Sequence, residues 1–269
     1  MAWKLLSRWV AASAPPPIEE IQAALDEQRY ADAARMLTSA ELAGDRTPRL
    51  STLSGELNLA RGRYAEALAD FSAAARTSSE RAQALQGEGV ALSLLNRPDL
   101  AVASLERAVV EAPAAWRAWN ALGAEYDRRK DWARSENAYA QALIHSGAAA
   151  IVLNNRGYSR LLQRRPREAA DDLAAALKKK PDLAAARTNL RLALAMAGNY
   201  AGAVAPTPAD DTGALLNNAG LVARLTGDRA MAQDLLGQAM KARSEFYRRA
   251  AENLEATAPT AGGARAANP

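Results

Sequence analysis

Few residues in this chain can do covalent or acid–base chemistry. Its 269 residues include no cysteine and one histidine, His145. A thiolate nucleophile, a thiolate metal site and any multi-histidine site are therefore excluded. A Ser-His-Asp arrangement would have to pass through His145, yet no nucleophile elbow or glycine-rich phosphate loop accompanies it, and an exposed helix-end histidine accounts for it. Two aspartate pairs, Asp171–Asp172 and Asp210–Asp211, raise the question of paired carboxylates or a cation site. Adjacent residues on a helix point in different directions and the second pair falls in a polar stretch, so solvated surface is the expectation for both. No cofactor and no metal are expected, and the chain reads as a non-enzyme.

A different chemistry is open to the asparagines. Asn120, Asn154, Asn155, Asn189, Asn217 and Asn218 each carry two side-chain donors and an acceptor. A row of such amides can bracket peptide bonds and hold an extended segment; alternatively it bonds neighbouring helices to one another. Whether the six form a row depends on the elements that carry them.

The glycines reveal those elements. Gly55, Gly89, Gly123 and Gly157 follow one another at intervals of 34 residues. A fixed period of that size marks stacked helix-turn-helix units, because one pair of short helices cannot bury its own apolar face. Around Gly123 stand Trp119, Leu122, Tyr126, Tyr139 and Ala142, and around Gly157 stand Leu153, Ala169, Leu173, Ala176 and Pro181, matching the tetratricopeptide pattern. Arg156 occupies a place where Leu is expected. Counting 34 on from Gly157 reaches Arg191, and the next frame glycine, Gly220, comes 29 residues after that. The missing five fall in "AVAPTPADDTG", whose prolines cannot continue a helix, so that unit has a stunted second helix and a loop near 206–212. Arg191, too large for a close-packed frame position, is expected to snorkel outward and leave its unit loosely packed.

The expected architecture is an all-α, right-handed superhelical solenoid. A segment 1–17 precedes an opening pair at 18–47, repeats at 48–81, 82–115, 116–149, 150–183, 184–212 and 213–246, and a cap helix at 247–256; a disordered tail occupies 257–269. Composition agrees: 49% of residues are hydrophobic but only 5% aromatic, so the apolar content is largely Ala and Leu, strong helix formers. Net charge is +4, from 34 basic and 30 acidic residues. Lys178–Lys180 end a second helix, where cations favour the helix dipole, and no nucleic-acid partner is expected.

Placed on this frame, Asn155, Asn189 and Asn218 are equivalent, and Asn120, Asn154 and Asn217 lie next to that row on the first helices. They are read as a concave partner-binding groove whose character is set by Arg117, Asp127, Arg128, Tyr158 and Arg224. Trp119 is expected in the core and Trp116 at the surface.

The region from Ala150 to Leu254 resembles a particular family, the TadD-like tetratricopeptide proteins of Tad/Flp pilus assembly. The resemblance is carried by "LNN" before a frame glycine, "NLRLALAMAGNY" opening a shortened unit, and the closing "YRRAAENL". It implies a scaffold that holds pilus or secretion subunits, such as the outer-membrane secretin, on the periplasmic side of the cell envelope. Many relatives are lipoproteins that need a cysteine after the signal peptide, and this sequence has none. The opening "MAWKLLSRWVAASAPPP" is open to three readings: a vestigial secretory signal, a membrane-surface helix using Trp3, Leu6, Trp9 and Val10, or a start assigned downstream of the true leader. A cytoplasmic adaptor that binds peptide segments is the alternative function. The identity of the partner and the oligomeric state stay open.

Overall fold

The computed structural model describes residues 16–77, 79–207, 210–242 and 247–257. The opening segment around Trp3–Val10 and the tail from 258 onward lie outside the described residues. All described regular structure is helical. The chain divides into two compact units, residues 1–148 and 149–269.

The first unit holds four helical pairs: α1 (Ile18–Asp26) with α2 (Tyr30–Leu42), α3 (Pro48–Ala60) with α4 (Tyr64–Ala74), α5 (Arg81–Leu94) with α6 (Pro98–Glu111), and α7 (Trp116–Arg128) with α8 (Trp132–Ser146). The second unit holds α9 (Ala150–Leu162) with α10 (Pro166–Lys179), α11 (Ala184–Met196) with the four-residue α12 (Tyr200–Ala203), α13 (Thr212–Thr226) with α14 (Arg229–Lys241), and α15 (Tyr247–Glu255). Within each unit every first helix packs on its own second helix and also touches the next first helix.

Close approach within each pair explains the periodic glycines. A Cβ placed on Gly55 would lie 2.8 Å from the Phe71 ring, on Gly89 2.5 Å from Leu105, on Gly123 2.8 Å from the Tyr139 ring, on Gly157 2.7 Å from Leu173 and on Gly220 2.7 Å from Leu236. The partner always lies 16 residues downstream, at the same level of the second helix. Buried alanines, including Ala67, Ala101 and Ala169, permit the same approach from the other side. Trp119 is only partly buried against the core around Leu105 and Leu122, and its Nε1 donates to the Pro113 carbonyl.

The turns inside the pairs are as regular as the glycines. Seven residues past each frame position the backbone enters the left-handed region, at Gly62, Asn96, Lys130, Arg164, Gly198 and Gly227. The following N–H closes back onto the first helix, as Asp131 N to Tyr126 O at 2.9 Å and Arg165 N to Arg160 O at 2.8 Å, which is a Schellman ending. Lys130 and Arg164 adopt φ of 56° and 58° despite their Cβ atoms. Replacing either by glycine is expected to raise stability by about 1 kcal/mol, read as a shift in the denaturant midpoint.

Two expectations about charged residues are corrected. Arg191 does not snorkel outward: its side chain is 19% exposed and grips Asp210 through both carboxylate oxygens, at 2.9 and 2.5 Å, with the Ala205 carbonyl at 3.3 Å. With α12 so short, this arginine ties down the chain that replaces a helix. Asp210 also accepts from the Thr207 N–H and hydroxyl, each at 2.6 Å. Arg191, and after it Thr207, hold the Asp210 carboxyl well below the usual range. A depressed carboxylate gives up its contribution only as pH falls toward its folded value, so this anchor persists through mildly acid conditions.

Asp172 is likewise not solvated surface. It is buried and accepts from Arg156 at 2.6 and 2.8 Å and from Arg160 at 2.9 Å. Its neighbour Asp171 is exposed. Arg156, at the place of an expected Leu, is compensated by an acid 16 residues later. Asp211 has a structural use as well, accepting from the Ala214 N–H at 3.0 Å as the N-cap of α13.

Candidate protein-contact face

Each first helix turns one face to its second helix and leaves the opposite face for other contacts. In the first unit part of that opposite face is polar and bonded to itself, although α5 exposes Leu94 by 49%. Arg49 donates to Gln22 at 2.7 Å and to Gln83 at 2.9 Å, while Gln83 donates to Glu56 at 2.8 Å. These bonds join α1, α3 and α5.

The sequence-derived groove residues of α7 take different places. Arg117 is exposed, with its guanidinium 4.5 Å over the ring of Trp116, which is partly buried. Asn120 is half-buried. Asp127 does not line a groove: it is buried and accepts from the Ser135 hydroxyl at 2.5 Å and the Tyr139 hydroxyl at 3.0 Å. Ser135 stands at the place of Ala67, Ala101 and Ala169, and its hydroxyl makes the first of these buried bonds. Burial, and after it the Asp127 charge, keeps the Tyr139 phenol protonated by raising its pKa. Arg128 is exposed but acts as a staple from α7 to α5, donating to Asn96 at 2.9 Å, to the Ser93 carbonyl at 3.3 Å and to Glu125 at 3.3 Å.

In the second unit the asparagines lie together in pairs. Asn189 donates to Asn154 at 3.1 Å, joining α11 to α9, and Asn253 donates to Asn217 at 3.0 Å, joining α15 to α13. Asn154 and Asn217 are buried and donate in turn to Asn155 and Asn218, at 3.1 and 3.5 Å. This is the helix-bonding alternative for Asn154, Asn189 and Asn217. Asn155 remains half-buried, and Asn218 is exposed.

What these helices expose is mainly apolar. Ile151, Tyr158 and Leu162 lie on one side of α9, at spacings of seven and four residues, and the last two are each 47% exposed. At the position equivalent to Tyr158, α11 presents Leu192 and α13 presents Leu221; at the position equivalent to Leu162, α13 presents Leu225, 73% exposed. Arg224 lies three residues after Leu221 on α13, and its Nε is buried with no acceptor.

Between α11 and α13 this face opens into a cleft of about 400 Å³, lined on one side by Thr188 and Leu192 and on the other by Leu215, Asn218 and Leu225. Ala203 of α12 reaches its end. Sequence reasoning identified Tyr158, Asn218 and Arg224 here but missed Ile151, Leu162, Leu192 and Leu225. For the last three the signal was available as apolar residues one or five places after the frame position, whereas Ile151 stands six places before it.

Among the described residues this face offers apolar contact, amide hydrogen bonds and guanidinium charge.

Comparison with known proteins agrees with the helical geometry. The tetratricopeptide repeat family profile matches residues 18–82 and 88–151. No curated protein matches the sequence. Among solved structures, the chain is similar to the APC/C hetero-tetramer Cut9-Hcn1, with a TM-score of 0.66 at 13% identity, covering 88% of this chain and 48% of that one. It thus spans about half the length of that relative. It is similar also to the C-terminal part of a TPR repeat-containing protein from Cytophaga hutchinsonii, with a TM-score of 0.62 at 13% identity, covering 88% and 99% of the two chains. A tetratricopeptide repeat protein from Parabacteroides merdae gives 0.56 at 15% identity, covering 89% and 96%. These likenesses are likenesses of fold.

Proposed function

We propose that this chain, whose residues 18–82 and 88–151 match the tetratricopeptide repeat profile, is a non-catalytic scaffold that binds other proteins through the exposed first-helix face of α9, α11 and α13. The observation that carries this reading is the apolar series Tyr158, Leu162, Leu192 and Leu225, at repeat-equivalent positions on successive first helices. Exposed apolar side chains gathered on one face lose water contact only when a partner covers them. Protein binding is the usual work of tetratricopeptide repeats, and in the first unit Leu94 alone of that series is strongly exposed, beside side chains bonded to one another.

The finer proposal is that the partners are subunits of a Tad/Flp pilus machine, the outer-membrane secretin among them, met on the periplasmic side of the envelope. It is supported by the sequence features "LNN", "NLRLALAMAGNY" and "YRRAAENL", all of which fall in the second unit. Among the described residues no helix is long and apolar enough to cross a membrane.

Affinity purification of the tagged full-length chain from its native cells after crosslinking tests both levels. Recovery of a secretin or other pilus subunits, lost on changing Tyr158→Glu and Leu225→Glu together, is the expected result. Recovery of cytoplasmic proteins alone would replace the pilus proposal with a peptide-binding adaptor. Recovery undiminished by the double change would remove the first-helix face as the contact surface.

A further inference from the structure

We infer that one edge of the first unit, marked by Leu42, Val110 and Ile144, rests on a lipid surface and inserts these side chains among the headgroups. The inference stands apart from the contact face of α9, α11 and α13.

The edge is defined by the path of the chain. Each second helix of the unit ends where the next first helix begins, since only residues 43–47, 75–80 and 112–115 separate them. The turns inside the pairs lie at the other end. Positions 42, 76, 110 and 144 recur at the repeat interval of 34 residues, in the last turn of α2, α6 and α8 and just past the end of α4. Leu42 is 85% exposed, Val110 78% and Ile144 69%, all well above the 47% of Tyr158 and Leu162. Arg76 takes the remaining place and is exposed as well. The most water-exposed aliphatic side chains of the unit thus stand in register along a single edge.

The residues around them select lipid as the occupant. Between α6 and α7 the chain runs Ala112-Pro113-Ala114-Ala115 without a charge, Pro113 and Ala114 are exposed, and the Trp119 Nε1 fixes this loop by donating to the Pro113 carbonyl at 2.8 Å. Trp116 follows at the start of α7, with the exposed Arg117 guanidinium 4.5 Å over its ring. Glu111, the acid that follows Val110, is engaged by Arg81 at 3.4 Å. Aliphatic tips beside a tryptophan and arginines make the composition of a membrane-interface belt. A folded protein needs a continuous, shape-complementary patch, whereas these tips recur one repeat apart with Arg76 among them, and a fluid interface accepts them without a matching surface. The opening segment leads into α1 at this same edge, and its sequence brings Trp3, Leu6, Trp9 and Val10 at three- and four-residue spacing. Acidic residues outnumber basic ones between Ile18 and Ala148, so the attraction is apolar and not electrostatic.

The test uses the full-length protein and vesicles of phosphatidylcholine, with and without phosphatidylglycerol, and reads binding by flotation at low and high ionic strength. Flotation with both vesicle types, little changed by salt, is the expected result. Leu42→Glu, Val110→Glu and Ile144→Glu together are expected to lower the partition constant about tenfold or more. Leu100→Glu, near the start of α6 at the opposite edge and 54% exposed, should change nothing. The sequence contains no cysteine, so a polarity-sensitive dye can be attached at a single Val110→Cys, Ile144→Cys or Leu100→Cys. Its emission should shift to the blue on vesicles from the first two positions and stay unchanged from the third, which keeps the test decisive if the triple variant misfolds.

Absence of flotation, or flotation undiminished in the triple variant, would overturn the inference. Complete loss of flotation on Trp3→Glu with Trp9→Glu, with no dye shift at Val110 or Ile144 in the otherwise unchanged chain, would place the lipid contact in the opening segment alone and overturn it too. Flotation that requires phosphatidylglycerol and vanishes at high salt would assign the attraction to basic residues elsewhere, against this reading. Concentration-dependent self-association without vesicles, removed by the triple change, would make the occupant a second copy of the chain and equally sink it.

Discussion

Asp172→Ala is expected to lower stability by about 3–5 kcal/mol, because it removes the buried acid between two arginines and leaves cationic charge with too little solvent. The side chains of Asp172, Arg156 and Arg160 are 7%, 19% and 13% exposed. Placing these charges away from water is costly, and the bidentate bonds from Arg156 with the bond from Arg160 offset that cost only while all three groups are present. The diagnostic variant is the double change Asp172→Ala with Arg156→Leu. Leucine is the residue at the equivalent place of α7, Leu122, where it is buried opposite Ala138. The double variant should recover part of the loss, since one of the two stranded charges is gone and an apolar contact replaces it. Urea midpoints of the wild type, both single variants and the double variant measure the coupling. Additive losses would mean that the three side chains do not act as one network.

Phe71→Ala is expected to cost a comparable amount, about 3–5 kcal/mol. The ring is buried where two repeats meet: a Cβ on Gly55 would come within 2.8 Å of it and a Cβ on Gly87 within 2.4 Å. It thus packs on its own first helix and on the next one. Truncation opens a void that both glycines border and neither can fill. In the wild-type background Gly87→Ala should itself destabilise, through overpacking against the ring. In the Phe71→Ala background the same change should be far less harmful, because its methyl enters the vacated space. That reversal is the signature of direct contact. Hydrogen exchange should place the damage in α3 to α6 and leave α9 to α15 protected, since repeat units depend on their neighbours.

The repeat was legible in the sequence because it is imposed by backbone approach. A second helix that packs directly on Gly89 or Gly157 leaves no room for a Cβ, so the same residue type recurs at the same interval. The turns were less legible: Lys130 and Arg164 adopt a left-handed backbone that the sequence marks at Gly62, Gly198 and Gly227 but conceals at these two positions. Buried charge was missed because its partners are far apart in the chain. Asp172 looked like half of an exposed pair until Arg156, 16 residues earlier on another helix, was seen to face it. The same interval joins Ser54 to Asp70 and Glu88 to Ser104, at 2.8 and 2.6 Å. A search for polar residues at that spacing would have found all three pairs.

The contact face was only partly legible for a related reason. An apolar residue on a short helix looks the same in sequence whether it points to the core or to solvent. Leu153 is buried and Leu162 is half-exposed, and only their offset from Gly157 separates them. Asparagine misleads in the opposite direction, because its polarity suggests a ligand, whereas Asn154 and Asn217 lie buried between helices and answer Asn189 and Asn253.

Site-specific photo-crosslinking in the native cells tests the central claim most directly. A photoreactive residue would be placed in turn at Tyr158 and Leu225 on the first-helix face, and at Val110 and Ile144 on second helices of comparable exposure. Protein adducts from Tyr158 and Leu225, with none from Val110 and Ile144, are the result this account predicts. Adducts from the second-helix positions alone, or in equal yield from all four, would contradict it.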